Sequence, residues 1–176
     1  MKKFLVTLLA SVMVLSMAAC GSKTNLASET QSAPTTTVYG EVEANTQGET
    51  LLKVFSTEIE ANNALTAQEL ADAVITNEAI LFAGATMPVE EGCLMGFDEE
   101  ISGFEDAVMF APMIGTIPFV GYVFDLAEDA DVEAYVTTLQ EHANMRWNIC
   151  TEAEQTVTAS FGDKVFFMMC KKSAAE

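Results

Sequence analysis

The strongest constraint on the fold is an apolar stretch, residues 107–126, that helix-breaking residues interrupt. Proline lacks the amide hydrogen that a helix interior needs and glycine weakens a helix, so neither a long helix nor a membrane span fits. The pattern predicts two strands, 107–111 and 120–126, joined by a loop. The acidic, glycine-rich residues 84–106 predict a long loop or short hairpins. The interrupting residues are Pro112, Gly115, Pro118 and Gly121.

Two other segments have the spacing of amphipathic helices. In residues 66–76, Thr66 and Glu69 form a capping-box pattern, and apolar residues then recur with helical spacing. Residues 130–143 carry a similar apolar stripe after an acidic start, which suits the positive end of a helix dipole. Residues 38–65 show no pattern that decides between helix and strand.

The C-terminal segment has the pattern of a β-hairpin. β-branched residues alternate from Thr156, Gly162-Asp163 is a turn signal, and residues 164–170 form an apolar return strand. A capping-box pattern at 151–154 predicts one short helical turn before the hairpin. Together these elements predict an α+β domain, a largely antiparallel sheet with helices packed on one face.

Residues 1–19 have the three parts of a secretory signal peptide: a positive start, a short apolar core and small residues near the end. The core is shorter than the roughly 20 residues of a membrane-spanning helix, so we expect cleavage. The next residue is Cys20, and the Ala-Ala-Cys ending resembles the lipobox of bacterial lipoproteins, with Met17 in place of the usual leucine.

By that resemblance, Cys20 is lipidated and holds the protein at the extracytoplasmic face of the cell membrane through acyl chains such as palmitate. Two or three acyl chains anchor a protein stably, whereas one is marginal. The Ser/Thr-rich composition of residues 20–37 predicts a flexible tether that follows the lipidated residue. Residues 38–176 then form a single domain.

Acidic residues far outnumber basic ones, with 26 Asp and Glu against 8 Lys and Arg and a net charge of −18. So few positive charges exclude the usual phosphate-neutralising mode of nucleic-acid binding. They also argue against polybasic attraction to anionic lipid. We therefore expect no nucleic-acid partner, and we expect the N-terminal lipid alone to hold the protein at the membrane.

The sequence shows no catalytic pattern. Its one histidine, His142, lies on the second predicted helix and is expected at the helix surface. No serine has the surroundings of a nucleophile elbow, no glycine-rich phosphate loop is present, and zinc-ligand spacing is absent. We therefore predict no catalytic residue, no metal site and no cofactor. The sequence favours a protein that is not an enzyme.

Cysteines and acidic clusters leave alternatives open. Cys93, Cys150 and Cys170 allow one disulfide, but their apolar surroundings favour three buried free thiols. Acidic clusters at 98–106 and 125–133 offer oxygen ligands for Ca²⁺, although the second lacks the spacing of an EF-hand loop. Solvated loop charge and helix capping are the favoured interpretation of both clusters.

Two C-terminal segments carry a family resemblance. Arg146-Trp147-Asn148-Ile149-Cys150-Thr151 and Gly162-Asp163-Lys164-Val165-Phe166-Phe167, within a stretch that begins at Asp106, resemble small uncharacterised lipoproteins of Gram-positive anaerobic bacteria. The resemblance implies an extracytoplasmic location and an α+β shape. It implies no catalytic activity.

The functional hypothesis is a non-enzymatic binding or interaction module, with an envelope protein as a candidate partner. A small substrate-binding lipoprotein of a transporter, or a thiol-redox lipoprotein that uses Cys150 and Cys170, is the alternative. The apolar loop between the two predicted strands is a candidate docking loop, because large exposed apolar patches mark interaction sites, but burial under the sheet is favoured. Its apolar residues are Met113, Ile114, Ile117 and Phe119.

Overall fold

The computed structural model describes residues 35–36 and 44–173. The predicted signal peptide, Cys20 and most of the predicted tether lie outside these residues. The elements in chain order are β1 (Thr35–Thr36), α1 (Gln47–Ala61), α2 (Ala67–Ile75), β2 (Gly84–Pro88), β3 (Asp106–Pro112), β4 (Val120–Asp125), α3 (Val132–Glu141), β5 (Gln155–Phe161) and β6 (Lys164–Cys170).

The strands form one sheet in the order β1-β5-β6-β4-β3-β2. β2 to β6 pair antiparallel with their neighbours, while β1 pairs parallel with β5 at the edge. The predicted α+β class and the largely antiparallel sheet are confirmed. The two strands predicted from the interrupted apolar stretch are β3 and β4. They form an antiparallel pair in which Phe110 lies opposite Gly121.

The predicted C-terminal hairpin is also confirmed. Phe161 pairs with Lys164, so Gly162 and Asp163 alone make the turn between β5 and β6. Gly162 has a φ of 65°, a left-handed conformation that glycine adopts without the steric cost of a side chain. This turn fixes the register of both strands and therefore the face on which each side chain lies.

Helices α1 and α2 pack together on one face of the sheet. Each begins with a complete capping box, in which Thr46 pairs with Glu49 in α1 and Thr66 pairs with Glu69 in α2. Their apolar residues bury alternate side chains of β3 to β6. The ring of Phe55 from α1 lies 5.1 Å from the ring of Phe166.

Helix α3 covers the opposite face, together with the connection 89–105. The expectation that helices share one face therefore applies to α1 and α2, but not to α3. The physical reason is that every residue of β6 is buried, so its successive side chains need apolar cover on both sides. The connection and α3 bury the side that carries Val165, Phe167 and Met169.

Three local expectations differ from the structure. The undecided residues 38–65 contain α1, and the predicted loop 84–106 begins with the edge strand β2. The predicted helical turn at 151–154 is wrong, because the amides of Ala153 and Glu154 bond to carbonyls outside this segment. Ala153 N donates to Met145 O at 3.0 Å and Glu154 N donates to Cys170 O at 2.8 Å.

Candidate functional site

Four connections meet at one end of the sheet because of its register. Residues 113–119 join β3 to β4 there, and residues 76–83 approach the start of β2. Residues 142–154 lead into β5, and residues 171–173 leave β6, since the start of β5 lies opposite the end of β6. These connections are close in space although they are distant along the chain.

Hydrogen bonds join these connections to one another. Met113 N donates to Ala83 O at 2.9 Å, which links 113–119 to 76–83. The side-chain amide of Asn148 donates to the Gly115 carbonyl and links 113–119 to 142–154. Lys172 N donates to Glu154 Oε2 at 3.2 Å and links 171–173 to 142–154. The four connections therefore form one joined surface.

Large apolar side chains are exposed on this surface. Single exposed apolar residues are ordinary in proteins, but several on joined connections form a patch of the kind that marks an interaction site. We call this region the apolar end. Its exposed apolar side chains and their exposed fractions are Leu81 (61%), Met113 (72%), Ile114 (64%) and Ile149 (97%).

The candidate docking loop divides into an exposed part and a buried part. Met113 and Ile114 are exposed, Ile117 is half-buried, and Phe119 is buried at 2% exposure. The ring of Phe119 lies 5.0 Å from the ring of Phe82. The favoured expectation of burial under the sheet thus holds for Phe119 and is wrong for Met113 and Ile114.

Leu81 and Ile149 are members of the apolar end that the sequence did not identify. Leu81 lies between Ile80 and Phe82, which are both partly buried against the core, and no local pattern separates the three. Ile149 adjoins Cys150, a cysteine that its apolar sequence surroundings predict to be buried. Only contacts between segments that are far apart in the sequence bring the connections that carry these two residues to the same end of the sheet as Met113.

The opposite end of the sheet is strongly acidic. Glu105 N donates to Asp125 O at 2.8 Å, and Leu126 N donates to Asp163 O at 2.9 Å, so the connections at this end also touch. Within residues 104–106, 125–131 and 162–164, Lys164 is the one basic side chain. We call these residues the acidic end. Its acids are Glu105, Asp106, Asp125, Glu128, Asp129, Asp131 and Asp163.

The apolar end carries a smaller negative charge than the acidic end. Its four connections carry three basic and three acidic side chains, and Glu49 and Asp98 lie beside them. Two of the basic groups pair locally: Lys171 Nζ lies 2.8 Å from Glu154 Oε1, and Arg146 Nε lies 3.7 Å from Glu152 Oε2. The remaining two charged residues of the four connections are Lys172 and Glu78.

The two acidic clusters that were the alternative candidates for calcium do not gather into a metal site within the described residues. Within the described residues, no group of three or more His, Cys, Asp or Glu side chains is placed to hold a metal ion. Asp98, from the first cluster, instead lies beside the histidine: its Oδ1 is 3.3 Å from Nδ1 of His142. Asp131, from the second, caps α3 by accepting from Ala134 N at 3.0 Å.

His142 joins α3 to the connection that covers the second face. Besides the contact between the two side chains, Asp98 N donates to His142 O at 3.1 Å. His142 is partly exposed where α3 ends, as expected for a residue on the helix surface. Both bonds hold the connection 89–105 against the end of α3, which is a structural role.

The cysteine predictions are partly wrong. All three are free, but Cys93 and Cys150 are exposed, and only Cys170 is buried. Burial raises the pKa of the Cys170 thiol to about 12. Because the thiolate is the reactive form, Cys170 is a poor nucleophile, and this weakens the thiol-redox alternative.

Within the described residues, no helix is both long and apolar enough to cross a bilayer. Comparison with known protein families, with characterised proteins and with solved structures finds no match to this chain. The apolar end is therefore the candidate site because of its exposed apolar side chains and its joined connections alone.

Proposed function

We propose that this protein is a lipid-anchored extracytoplasmic module that acts by binding at its apolar end. The observation that carries the proposal is the exposure of Leu81, Met113, Ile114 and Ile149 on joined connections. The lipobox-like sequence at Cys20 and the resemblance to small lipoproteins support the membrane location.

The apolar end is held in shape before any partner arrives. Phe119 anchors one side of the 113–119 connection in the core, and Asn148 bonds to the middle of that connection. A surface that is already ordered loses little conformational entropy when it binds. Met113 and Ile114 are therefore presented on a fixed base, which favours a binding role.

Site-specific photo-crosslinking in native membranes tests the binding role. A photoreactive amino acid at position 114 samples the apolar end, and the matched control places it at Glu128, an exposed residue of the acidic end. We expect a covalent adduct, with protein or with lipid, from position 114 and none from position 128. Equal labelling at both positions, or labelling at neither, would contradict a binding surface at the apolar end.

Mass spectrometry of the native N-terminus tests the anchor separately. We expect a mature chain that begins at Cys20 with acyl groups attached, and we expect Cys20→Ala to release the protein from the membrane fraction. A retained leader peptide, or an unmodified Cys20, would contradict the anchoring part of the proposal and leave the photo-crosslinking result intact.

A further inference from the structure

We infer that the partner of the apolar end is the lipid bilayer itself. Leu81, Met113, Ile114 and Ile149 enter the interface of the membrane that holds the lipid anchor. The inference rests on the proposed function above, because it names the partner of that same surface. Apolar side chains at a membrane interface are buried by about 5–10 Å, which a few protruding residues can reach.

The direction of β1 supports this inference. β1 is parallel to β5, with Thr35 opposite Val157 and Thr36 opposite Thr158. Since β5 begins at the apolar end, the chain also enters β1 from the apolar end. An antiparallel β1 would have led the chain in from the acidic end. The chain that precedes β1, which carries the predicted lipid anchor, therefore joins the described structure at the end with the exposed apolar residues.

The length of chain between the predicted anchor and β1 favours a domain close to the bilayer. About 15 residues separate the predicted lipid at Cys20 from Thr35. As the coil that its composition predicts, such a chain spans about 20 Å on average. A small protein domain is about 30 Å across, so this space suits direct contact with lipid better than an intervening protein.

The charge distribution favours the same orientation. Bacterial membranes and other anionic surfaces repel negative groups, and the acidic end carries seven acids against Lys164 alone. The four connections of the apolar end carry three basic and three acidic side chains, and Glu49 and Asp98 lie beside them. An anionic bilayer therefore repels the acidic end more strongly than the apolar end.

The residues that border the patch suit a membrane interface. Tryptophan is enriched at the level of lipid headgroups, and long basic side chains place their charge there while their stems cover apolar surface. The single tryptophan, Trp147, lies between Arg146 and Ile149 on the 142–154 connection and is partly buried. Lys171 and Lys172 follow β6 at the same end.

Quenching of tryptophan fluorescence by brominated lipid tests the inference, because bromine on an acyl chain quenches only at short range. The full lipidated protein is placed in vesicles of phosphatidylcholine and phosphatidylglycerol, with and without bromine on the acyl chains. Two variants in a Trp147→Phe background move the single tryptophan. Ile149→Trp places it at the apolar end, and Glu128→Trp places it at the acidic end. Thermal unfolding of both variants, compared with that of the wild type, serves as the folding control.

We expect brominated vesicles to remove most of the emission from the Ile149→Trp variant and to leave the Glu128→Trp variant unchanged. Changing Met113 and Ile114 to serine as well should reduce the quenching at position 149. If the vesicle-bound protein shows no quenching at position 149, or more quenching at position 128, the inference is overturned.

The outcomes also separate this inference from the proposed function. Protein that fails to sediment with vesicles contradicts the lipid anchor, and the inference fails with it. Protein that sediments without quenching, but forms a protein adduct from position 114 in native membranes, retains the binding role and assigns the apolar end to a protein partner. A lipid adduct from position 114 together with quenching at position 149 supports both.

Discussion

The two ends of the sheet are built from the same strands, yet they present different chemistry to the surroundings. At the apolar end, exposed Met113, Ile114 and Ile149 lie on connections that carry charges of both signs. At the acidic end, Lys164 is the one basic side chain among seven acids, and its Nζ lies 2.8 Å from Asp125 Oδ2. An antiparallel sheet places alternate connections at opposite ends, so one chain can give each end its own composition.

The comparison of the two ends shows that the net charge of the chain does not describe how charge is distributed over its surface. A net charge of −18 led to the expectation that lipid alone holds the protein at the membrane. That expectation rests on the composition of the whole chain, and it stays a prediction. The structure adds that seven of the 26 acidic residues lie at the acidic end, whereas the four connections of the apolar end carry basic and acidic side chains in equal number.

The largest expected effect comes from the residue that anchors the apolar end. Phe119 is buried and its ring packs on Phe82 and Phe110, at centroid distances of 5.0 and 6.0 Å. Truncating a buried phenylalanine to alanine removes apolar contacts and leaves a cavity, so Phe119→Ala should lower the free energy of unfolding by about 3–5 kcal/mol. Urea denaturation measures this value. A loss below about 1 kcal/mol would show that the connection is not anchored in the core.

The second effect concerns the cation of the acidic end. The side chain of Lys164 is mostly buried, and Lys164→Met keeps its apolar stem while leaving Asp125 without a partner among other carboxylates. Because Asp125 is partly exposed to water, we expect a loss of about 2 kcal/mol, less than for a fully buried pair.

Salt and a matched control sharpen the Lys164 prediction. Lys53→Met removes an exposed charge from α1 and should change stability by less than about 0.5 kcal/mol. Salt screens repulsion between exposed charges, so the melting temperature of Lys164→Met should rise more with ionic strength than that of the wild type. An equal rise in the two proteins would show that Lys164 does not offset repulsion at the acidic end.

Local signals in the sequence account for most of the fold. Thr66 with Glu69 predicted where α2 begins, and Gly162-Asp163 predicted the final hairpin, because both depend on neighbouring residues alone. The same capping box exists at Thr46 and Glu49, so α1 was predictable but was missed. β2 has no such signal: it is short, ends in proline and exists as a strand because β3 lies beside it.

The candidate site was less predictable than the fold. Met113 and Phe119 occur in one apolar loop, and only the packing of Phe119 on Phe82 decides which of them is exposed. Ile149 joins the patch because Asn148 bonds to Gly115, a contact between residues that are far apart in sequence. Tertiary structure decides whether an apolar side chain in an irregular connection is exposed. Sequence periodicity does not predict this exposure, because these connections have no regular repeat.

The helix caps offer a matched test of the two ends. Thr46 caps α1 at the apolar end, and Thr66 caps α2 away from it; each accepts from an N3 amide at 3.2 Å. Replacing either threonine by alanine should cost about 1 kcal/mol in the free energy of unfolding. Equal losses mean that the local cap decides the effect. A clearly larger loss for Thr46→Ala would mean that the start of α1 also supports the apolar end.

A smaller effect is expected from pH at the second cap. A hydrogen bond from the backbone amide of Thr66, followed by one from its hydroxyl, lowers the pKa of Glu69. Because the folded pKa is below the unfolded value, this stabilisation is present above the ordinary glutamate pKa, about 4.3, and is lost as pH falls through the folded value. Melting temperatures of wild type and Glu69→Gln should therefore differ at neutral pH and converge in acid. A constant difference across this range would contradict the assignment.

Changing Met113 and Ile114 together should have the smallest effect on stability and the largest effect on binding. Met113 and Ile114 are mostly exposed, so changing both to serine should alter the free energy of unfolding by no more than about 0.5 kcal/mol. The same double variant removes the two side chains that protrude most from the 113–119 connection, and it should weaken both the photo-adduct at the apolar end and the contact with brominated lipid. If the double variant instead destabilises the fold as much as Phe119→Ala does, these side chains belong to the core, and the contrast between the two ends is lost.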